Sequence, residues 1–589
     1  MAGELSFEDL CKEINTASIE FVVDYSLDEE EDNLGALARF IIDVDVDTTI
    51  AVIRAEYQLK IDENTLRDQL EDSLKKDEKN IPNQDYRATV ETNFPKWFEL
   101  IIYAINPKNH EEKQVKKQKE LQDLFPYCIV WAERTLGEDD RQNSSLSELI
   151  SSFFTMKDDE LDPGVSEQVK ILRAFVEKAN KDVQKQSDDI LSDLVNNAIG
   201  FGYPNSEELQ LGVTTQLNID NRIRNQTKLA YQSEKWGEKL PSTYNGLGYK
   251  NLIKIEFLLA TFAKNMKQNG EACIPLLFIE EPESHMHPQM QNAFATYLED
   301  FLKQITGSKI QTFLTSHSAH VANTIDFSKI RYSKKTEGGV IYKNLNTFTK
   351  ENSNNIDFIR KYLTLTKCDL FFADKAILVE GASERQLIPD MINKCSKMGL
   401  FKPQKYALPN QYYVLVEIGG AYAHKFIPFI DFLGLPCLIL TDLDSVKIEK
   451  GKNQKNVKKS VPVNQGETTS NETIKWWYRK KYGPLEDRSD IELSTIMAMK
   501  ESDKTLGKCH IEFQVPEYGL CGHSLEEAIR NVNRENYDLP QNITENDLEF
   551  SGKSKIDFAL NLIYKCDNYV IPRYIQSGLI WLNEQKVLQ

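Results

Sequence analysis

Two acidic pairs sit where apolar strands should end. The run Ala376-Ile377-Leu378-Val379-Glu380-Gly381-Ala382-Ser383-Glu384 reads as a strand, a Glu at its end, a Gly turn and a second Glu where a helix starts. Further on, Cys437-Leu438-Ile439-Leu440-Thr441-Asp442-Leu443-Asp444-Ser445 ends another strand with Asp-x-Asp. Residues i and i+2 of a strand face the same way, so Asp442 and Asp444 are expected to point at one cation. Carboxylates converging on one point raise each other's pKa unless a positive partner joins them. Mg2+ or Mn2+ is the natural partner, because hard cations prefer oxygen ligands. No His or Cys cluster accompanies these acids, which argues against zinc.

A second acidic strand end lies earlier, in Leu276-Leu277-Phe278-Ile279-Glu280-Glu281-Pro282-Glu283. Carboxylates at such a place can hold a magnesium-bound water and polarise an attacking water. The next candidate strand ends in Thr315-Ser316-His317-Ser318, where a His can contact a nucleotide γ-phosphate. The phosphate cradle GxxxxGK[ST] is missing: in Gly552-Lys553-Ser554 the upstream Gly position is Asp547. Without that loop the β- and γ-phosphates lose their backbone cradle and their lysine. ATP as a cofactor is set against this gap. Three explanations stay open: a P-loop lost upstream, an ATPase relic, or a loop supplied by another polypeptide. The chain alone is expected to hydrolyse ATP slowly or not at all.

These acids need strands and helices to place them. Ser18–Ser26 and Thr49–Ile61 read as strands, the latter alternating apolar and polar residues as a half-buried strand does. Residues 110–200 carry charged, helix-favouring segments and are expected to form a helical insertion, a candidate dimerisation arm. Short β-like runs return between Leu209 and Leu229. Then come a helix (Asn251–Met266), a strand (Pro275–Ile279), a helix (Gln289–Gln304) and a strand (Ile310–Leu314). A second strand–helix alternation starts at Lys375, with strands at Lys375–Val379, Tyr412–Glu417 and Pro436–Thr441 and helices at Glu384–Lys394 and His424–Leu433. Both alternations predict α/β layers.

The 589 residues are too many for one core, and roughly 150 per domain suggests three or four units. No apolar run of about 18 residues is present, which argues against a membrane span. The start, MAGELSFEDLCKEIN, shows no signal-peptide pattern. The nine cysteines are scattered without a CxxC pair, as expected of reduced thiols in a cytoplasmic protein. A net charge of −19 does not suggest a DNA-coating protein. A local basic patch still suffices for phosphate binding, since attraction acts within roughly 8–10 Å. Lys447–Lys459, with Lys455, Lys458 and Lys459, is the best candidate for a flexible DNA-binding loop, and Arg479-Lys480-Lys481 is the alternative.

The pairing of Val-Glu-Gly-x-x-Glu with a strand-borne Asp-x-Asp resembles the Toprim pattern of topoisomerases, DnaG-type primases and nucleases of the OLD (overcoming lysogenization defect) family. Glu280-Glu281-Pro282-Glu283-Ser284-His285-Met286-His287-Pro288, followed by Thr315-Ser316-His317-Ser318, resembles the ABC ATPase half of that same family. The resemblance implies Glu280 as the Walker B acid, Glu281 as the catalytic glutamate and His317 as the switch residue. Tyr244–Gly248 stands where a degenerate signature motif would fall, though a plain Gly turn explains it equally well. It further implies a metal ligand in Ser524-Leu525-Glu526, with Glu526 the better choice over Glu527. It also implies a phosphate-stabilising lysine near the C-terminus, best matched by Lys555, with Lys553 the near alternative. The layout is similar to the large subunit of Gabija-type antiphage systems or to a retron-linked OLD effector. The expected organisation is an ATPase-like part (1–109), a helical insertion (110–200), a second ATPase-like part (201–348), a linker helix (349–374) and a Toprim nuclease domain (375–589). The implied function is a metal-dependent DNA endonuclease or nickase in antiphage defence. Glu380, Glu384, Asp442, Asp444 and Glu526 would hold the metal, and Glu380, Asp442 and Lys555 would act on the DNA. The implied partners are DNA, a second copy of the chain or a higher oligomer, and a helicase or a retron reverse transcriptase with its msDNA. The rival readings are a topoisomerase or primase, and a non-catalytic ABC-like scaffold.

Overall fold

The structure, a computed structural model, describes residues 17–26, 34–61 without 44 and 46, 93–132, 210–214, 228–232, 239–241, 273–306, 310–352, 365–418, 422–450, 456–483, 490–540, 542–550, 554–566 and 568–586, with short pieces inside 64–69, at 185 and inside 248–262. The chain divides into two compact units, 1–316 and 317–589.

In the first unit, β1 (Ser18–Asp24), β2 (Ile50–Leu59), β3 (Phe98–Ile105) and β4 (Lys113–Lys116) form an antiparallel sheet in sequence order. Ala51 and Ile53 of β2 and Ile102 and Ala104 of β3 pack with Phe40, Leu124 and Phe125 in one core. A separate parallel sheet has the order β10-β9-β5, with β5 at Tyr127–Val130, β9 at Leu276–Glu280 and β10 at Gln311–Thr315. The acid-bearing β9 is thus its central strand. Leu277 and Ile279 point into a core with Phe294 and Phe301 of helix α2 (Pro288–Thr306), while the residues between them are only partly buried. β6 (Gln210–Thr214), β7 (Lys228–Gln232) and β8 (Lys239–Pro241) form a third, antiparallel sheet.

The helical insertion does not begin at residue 110. β4, helix α1 (Gln118–Leu124) and β5 occupy 113–130, and both strands join sheets of the first unit. Charged residues in 113–124 gave a helical impression because β4 is an exposed strand, with Lys113, Gln114 and Val115 in solvent. The rest of the expected insertion, apart from 185, lies outside the described residues.

The second unit starts before the 348–349 boundary read from the sequence. Helix α3 (Ala319–Thr324), the hairpin β11–β12 (Arg331–Thr336, Gly339–Asn344) and helix α4 (Leu345–Glu351) all pack on its core. Phe348 lies 5.6 Å from the Phe429 ring and 4.9 Å from Phe432. Lys334 Nζ donates to the carbonyls of Leu433 (2.8 Å) and Gly434 (2.6 Å), satisfying the C-terminus of helix α6 (Ile427–Leu433). A polar hairpin that the sequence placed in the second ATPase-like part (201–348) therefore belongs to this unit.

The centre of the second unit is a five-stranded sheet in the order β14-β13-β15-β20-β19. β13 (Lys375–Val379), β14 (Tyr413–Glu417), β15 (Cys437–Leu440) and β20 (Cys509–Glu512) are parallel, and β19 (Thr505–Leu506) is an antiparallel edge. Every residue of β13 and β15 is buried, as expected where helices cover both faces. Ala376, Leu378, Cys437 and Ile439 face one core with Phe426, Phe429 and Trp477. Ile377, Val379, Leu438 and Leu440 face the other, made by helix α5 (Ala382–Lys397) and helix α11 (Arg573–Glu584). Each fully buried Ile, Leu or Val contributes about 1.5–3 kcal/mol, so two cores fix β13 and the acids that follow it. At the base, buried Lys375 donates to the carbonyls of Leu582 (2.6 Å) and Asn583 (3.2 Å), which ties β13 to the end of α11. At Gly578 of α11 a Cβ would lie 2.7 Å from Leu438 Cδ1, so only glycine lets the helix approach the sheet this closely.

Candidate metal centre

The parallel sheet of the second unit brings its acids to one end. Glu380 follows β13, Glu384 lies in the first turn of α5, and Asp442 and Asp444 follow β15. Glu526 comes from the first turn of helix α9 (Leu525–Val532) and is 1% exposed. Lys555 opens helix α10 (Lys555–Lys565), and its Nζ donates to Glu526 Oε2 at 3.0 Å.

Asp442 and Asp444 reach this place by a different route from strand parity. β15 ends at Leu440, and Asp444 has φ +47°, in the left-handed region. Side chains from elsewhere hold the turn. Gln514, after β20, donates to Asp442 Oδ1 at 2.7 Å and accepts the Leu443 N–H at 2.6 Å. Asp444 N donates to the His523 carbonyl at 3.1 Å, and Ser470 N donates to the Asp444 carbonyl at 2.9 Å.

Asn471 is the hub of the arrangement and is fully buried. Its Oδ1 accepts the N–H groups of Thr473 (3.0 Å) and Ile474 (3.2 Å), capping helix α7 (Glu472–Tyr482). Its Nδ2 faces Glu380 Oε1 (2.9 Å), Thr441 Oγ1 (2.8 Å) and the Asp442 carbonyl (2.9 Å). Glu380 Oε1 also accepts from Asp442 N at 3.1 Å and from the Thr441 hydroxyl. Asn471 and Gln514 were not among the residues the sequence suggested. The Asn471-Glu472-Thr473 start of a helix was the available signal for the first, and the end of a buried strand for the second.

The electrostatics follow from crowding. Burial pushes the Asp442 carboxyl well above its ordinary range, and Glu380, Glu384, Asp444 and Glu526 add to the push. Burial raises Glu384 to about 7, with Glu526 and Glu380 contributing. Asp444 rises to about 6, again by burial and then by Glu380. Burial works against the Lys555 ammonium, but Glu526 and Asp442 hold its pKa above the ordinary value. One oxygen, Glu526 Oε1, is buried with no hydrogen-bond partner. An orphaned carboxylate oxygen beside mutually repelling acids fits a divalent cation, which would take that oxygen as a ligand and remove the repulsion. Another grouping, Glu501, His510 and Glu512, has ligand atoms within 4.8 Å of one another. There the Lys504 ammonium already supplies the positive charge, at 2.7 Å from Glu512 and 2.9 Å from Glu501.

The remaining expected residues are more dispersed. In the first unit, Glu280 Oε2 accepts from Ala132 N at 3.3 Å at the end of β9. Glu281 has φ +39°, with its N–H donating to the Thr315 carbonyl of β10 at 3.0 Å. Ser316 Oγ donates to Glu283 at 2.9 Å. His317 is the first residue of the second unit, its ring 6.4 Å from Phe372. Lys458 and Lys459 do not lie on a flexible loop. They belong to β17 (Asn456–Ser460), which pairs with β16 (Ser445–Lys450), and Lys458 forms an ion pair with Asp490 at 2.8 Å. The alternation Val446-Lys447-Ile448-Glu449 was a strand pattern that the lysines masked. Lys455, Lys553 and most of the Tyr244–Gly248 stretch lie outside the described residues. No helix among the described residues is long and apolar enough to cross a membrane.

Comparison with known proteins agrees with this architecture. Residues 12–322 match a family described as AAA ATPase domain, and residues 371–444 match one described as overcoming lysogenization defect protein-like, TOPRIM domain. An endonuclease GajA of Bacillus cereus is 28% identical over 437 residues, covering 64% of this chain and 58% of that protein. An OLD nuclease of Thermus scotoductus is 23% identical over 300 residues, covering 49% of this chain and 52% of that protein. The chain therefore spans little more than half the length of these relatives. Among solved structures, the SMC head domain from Thermotoga maritima aligns over 50% of this chain and 74% of its own, with a TM-score of only 0.21 and 8% identity. With more than half its length inside the first match, the chain belongs to the AAA ATPase domain family, and it carries an OLD-like TOPRIM domain behind that ATPase domain.

Proposed function

We propose that the chain is a divalent-metal-dependent endonuclease or nickase acting on DNA. The observation that carries this reading is the convergence of Glu380, Glu384, Asp442, Asp444 and Glu526 beside Lys555, with Glu384, Asp442 and Glu526 buried and an orphaned oxygen on Glu526. Mg2+ or Mn2+ would be held by these carboxylates. A bound divalent cation supplies Lewis acidity toward the phosphodiester and charge for its attacking and leaving oxygens. Glu380 and Asp442 orient that charge, because Asn471, Thr441 and Gln514 leave their carboxylates little freedom to rotate. Lys555, half exposed at the edge of the cluster, offers ammonium protons to a non-bridging phosphate oxygen as negative charge grows there.

The relatives' names, endonuclease GajA and OLD nuclease, support the same reaction class. Antiphage defence, cytoplasmic location, a homodimer or larger assembly, and a helicase or retron partner are extensions of that likeness. In the ATPase domain, Glu280, Glu281 and His317 are proposed to face a nucleotide, and its role is regulatory.

Supercoiled plasmid incubated with Mg2+ or Mn2+, and separately with chelator, tests the reading. Nicked or linear product is expected with metal only, and Glu380→Ala and Asp442→Ala should each reduce its rate at least about 1,000-fold. Unchanged cutting by both variants would sink the mechanism.

A further inference from the structure

A strip of rings and cations lies beside the acids without belonging to them. Helix α7 begins at Asn471, whose carboxamide touches Glu380. Its inner face is fixed: Ile474 and Trp477 are buried, and Trp477 Nε1 donates to the Asp503 carbonyl at 3.1 Å. Trp476 and Lys480 lie off that face, one turn apart. Trp476 is only partly buried, Lys480 and Arg479 are exposed, and Lys480 Nζ sits 5.7 Å from the Trp476 ring centre. The turn after β14 supplies the neighbours. The His424 ring lies 6.3 Å from Trp476 at 30°, and His424 meets Thr473 Oγ1 through both its backbone N and Nδ1 at 3.3 Å. Tyr422 is 44% exposed, with Lys425 Nζ 4.8 Å from its ring centre.

Two features of this strip decide what it fits. It offers ring faces, and its charges are positive: Lys425, Arg479 and Lys480. The acid on the same helix, Glu472, is engaged by the buried Lys475 at 3.1 Å. A surface covering its own core edge needs the rings but not three cations around them. Interleaved rings and cations suit a single strand of nucleic acid, whose bases expose faces for stacking and whose phosphates follow at intervals. A duplex hides those faces and could use only the cations. The strip also leads to the acids, since Trp476 stands about 7.5 Å of helix rise beyond the Asn471 cap.

The geometry points to a platform for single-stranded DNA made by Tyr422, His424, Lys425, Trp476, Arg479 and Lys480. Unpaired bases stack on Trp476 and Tyr422, and Lys425, Arg479 and Lys480 take the phosphates. The platform rests on the nuclease reading for its substrate class and deepens it: a frayed, bubbled or single-stranded segment is the preferred target. The three positive charges also offset, locally, the repulsion between DNA and a chain of net −19.

Fluorescence anisotropy of the full chain in chelator, with labelled oligo(dT) and with a hairpin duplex of equal length, tests it. Trp476→Ala is expected to weaken oligo(dT) binding about tenfold and duplex binding less than twofold, and Trp476→Phe to recover most of the loss. Lys480→Ala should weaken both and flatten the oligo(dT) salt slope by about 0.7. Tyr422→Ala, at an exposed position, covers the case in which Trp476→Ala fails to fold, and should cost oligo(dT) binding about fivefold. Unchanged oligo(dT) binding in the folded variants, or equal losses on both DNAs, overturns the platform. Because no cutting occurs in chelator, the two readings separate. A chain that binds through Trp476 yet never cuts plasmid with metal sinks the nuclease reading alone, and one that cuts normally with Trp476 irrelevant to binding sinks the platform alone.

Discussion

β9 and β13 are both five-residue parallel strands that lead into glutamates, yet only β13 is buried at every position. β9 alternates buried and half-exposed residues, and Glu280 and Glu281 at its end remain partly exposed. β13 lies between two cores, and the acids around its end include Glu384 at 8%, Asp442 at 8% and Glu526 at 1% exposure. The same sequence device thus produces two electrostatic situations. Water reaches the acids after β9 and screens them. Around β13 burial and mutual repulsion push Glu384, Asp442 and Asp444 upward, and a proton or a cation relieves that cost. On the proposed reading, the TOPRIM domain would bind metal without help from the acids after β9.

That contrast can be broken by metal titration without nucleotide. Isothermal titration of Mn2+ should show a site that Asp442→Ala removes and Glu280→Ala leaves intact. Equal loss in both variants, or retention in both, would show that burial does not separate the two strand ends.

A smaller effect is expected one layer out. Asn471→Ser keeps an oxygen to cap α7 but removes the amide protons that hold Glu380 and Thr441. The melting temperature should stay within about 3 °C, while metal affinity falls about 10- to 100-fold. In a Glu380→Ala background the same change should cost almost nothing further, since the group it positions is gone. Additive losses would mean that Asn471 acts through α7 rather than through Glu380.

The acid pKa values give a third test. Glu384 at about 7 and Asp444 at about 6 lie above their ordinary values near 4, so the folded state retains protons that the unfolded chain releases. This stabilisation is complete below about pH 4 and is lost as pH rises through 6 and 7. In chelator, the TOPRIM melting midpoint should drop by about 5 °C between pH 5 and pH 8, and saturating Mg2+ should remove most of that drop. A flat profile in chelator would mean the carboxylates are not crowded.

The acids were legible in the sequence because an apolar run and the residue after it are neighbours in the chain. Glu380, Glu384, Asp442 and Asp444 all came from that rule. Asn471 and Gln514 were not, because each meets its carboxylate only after α7 and β20 have docked, 91 and 72 residues away in sequence. The parity argument for Asp442 and Asp444 gave the right neighbourhood for the wrong reason: β15 stops short of both, and Asp444 is left-handed. The β11–β12 hairpin looked like part of the ATPase half because nothing local tells that Lys334 will reach the end of α6.

The smallest expected effect concerns the β16–β17 hairpin, which follows directly on Asp444 and carries several lysines. As a loop, it would have presented each lysine freely to DNA. As a hairpin it presents them unequally: Lys458 is engaged with Asp490 at 2.8 Å, while Lys459 stands opposite Lys447 across the ladder. Like charges in register repel, and a phosphate between them relieves the repulsion. A lysine already paired to an aspartate gains less from a phosphate and must give up the first partner. Lys459→Ala should therefore flatten the slope of log affinity against log salt for duplex DNA by about 0.9, and Lys458→Ala by less than half of that. Metal affinity should be unchanged in both. Equal flattening would mean that Asp490 releases Lys458 when DNA binds, and no flattening in either would place the DNA path away from this hairpin, so that the burial of the acids and the charge of their surroundings would have to be explained separately.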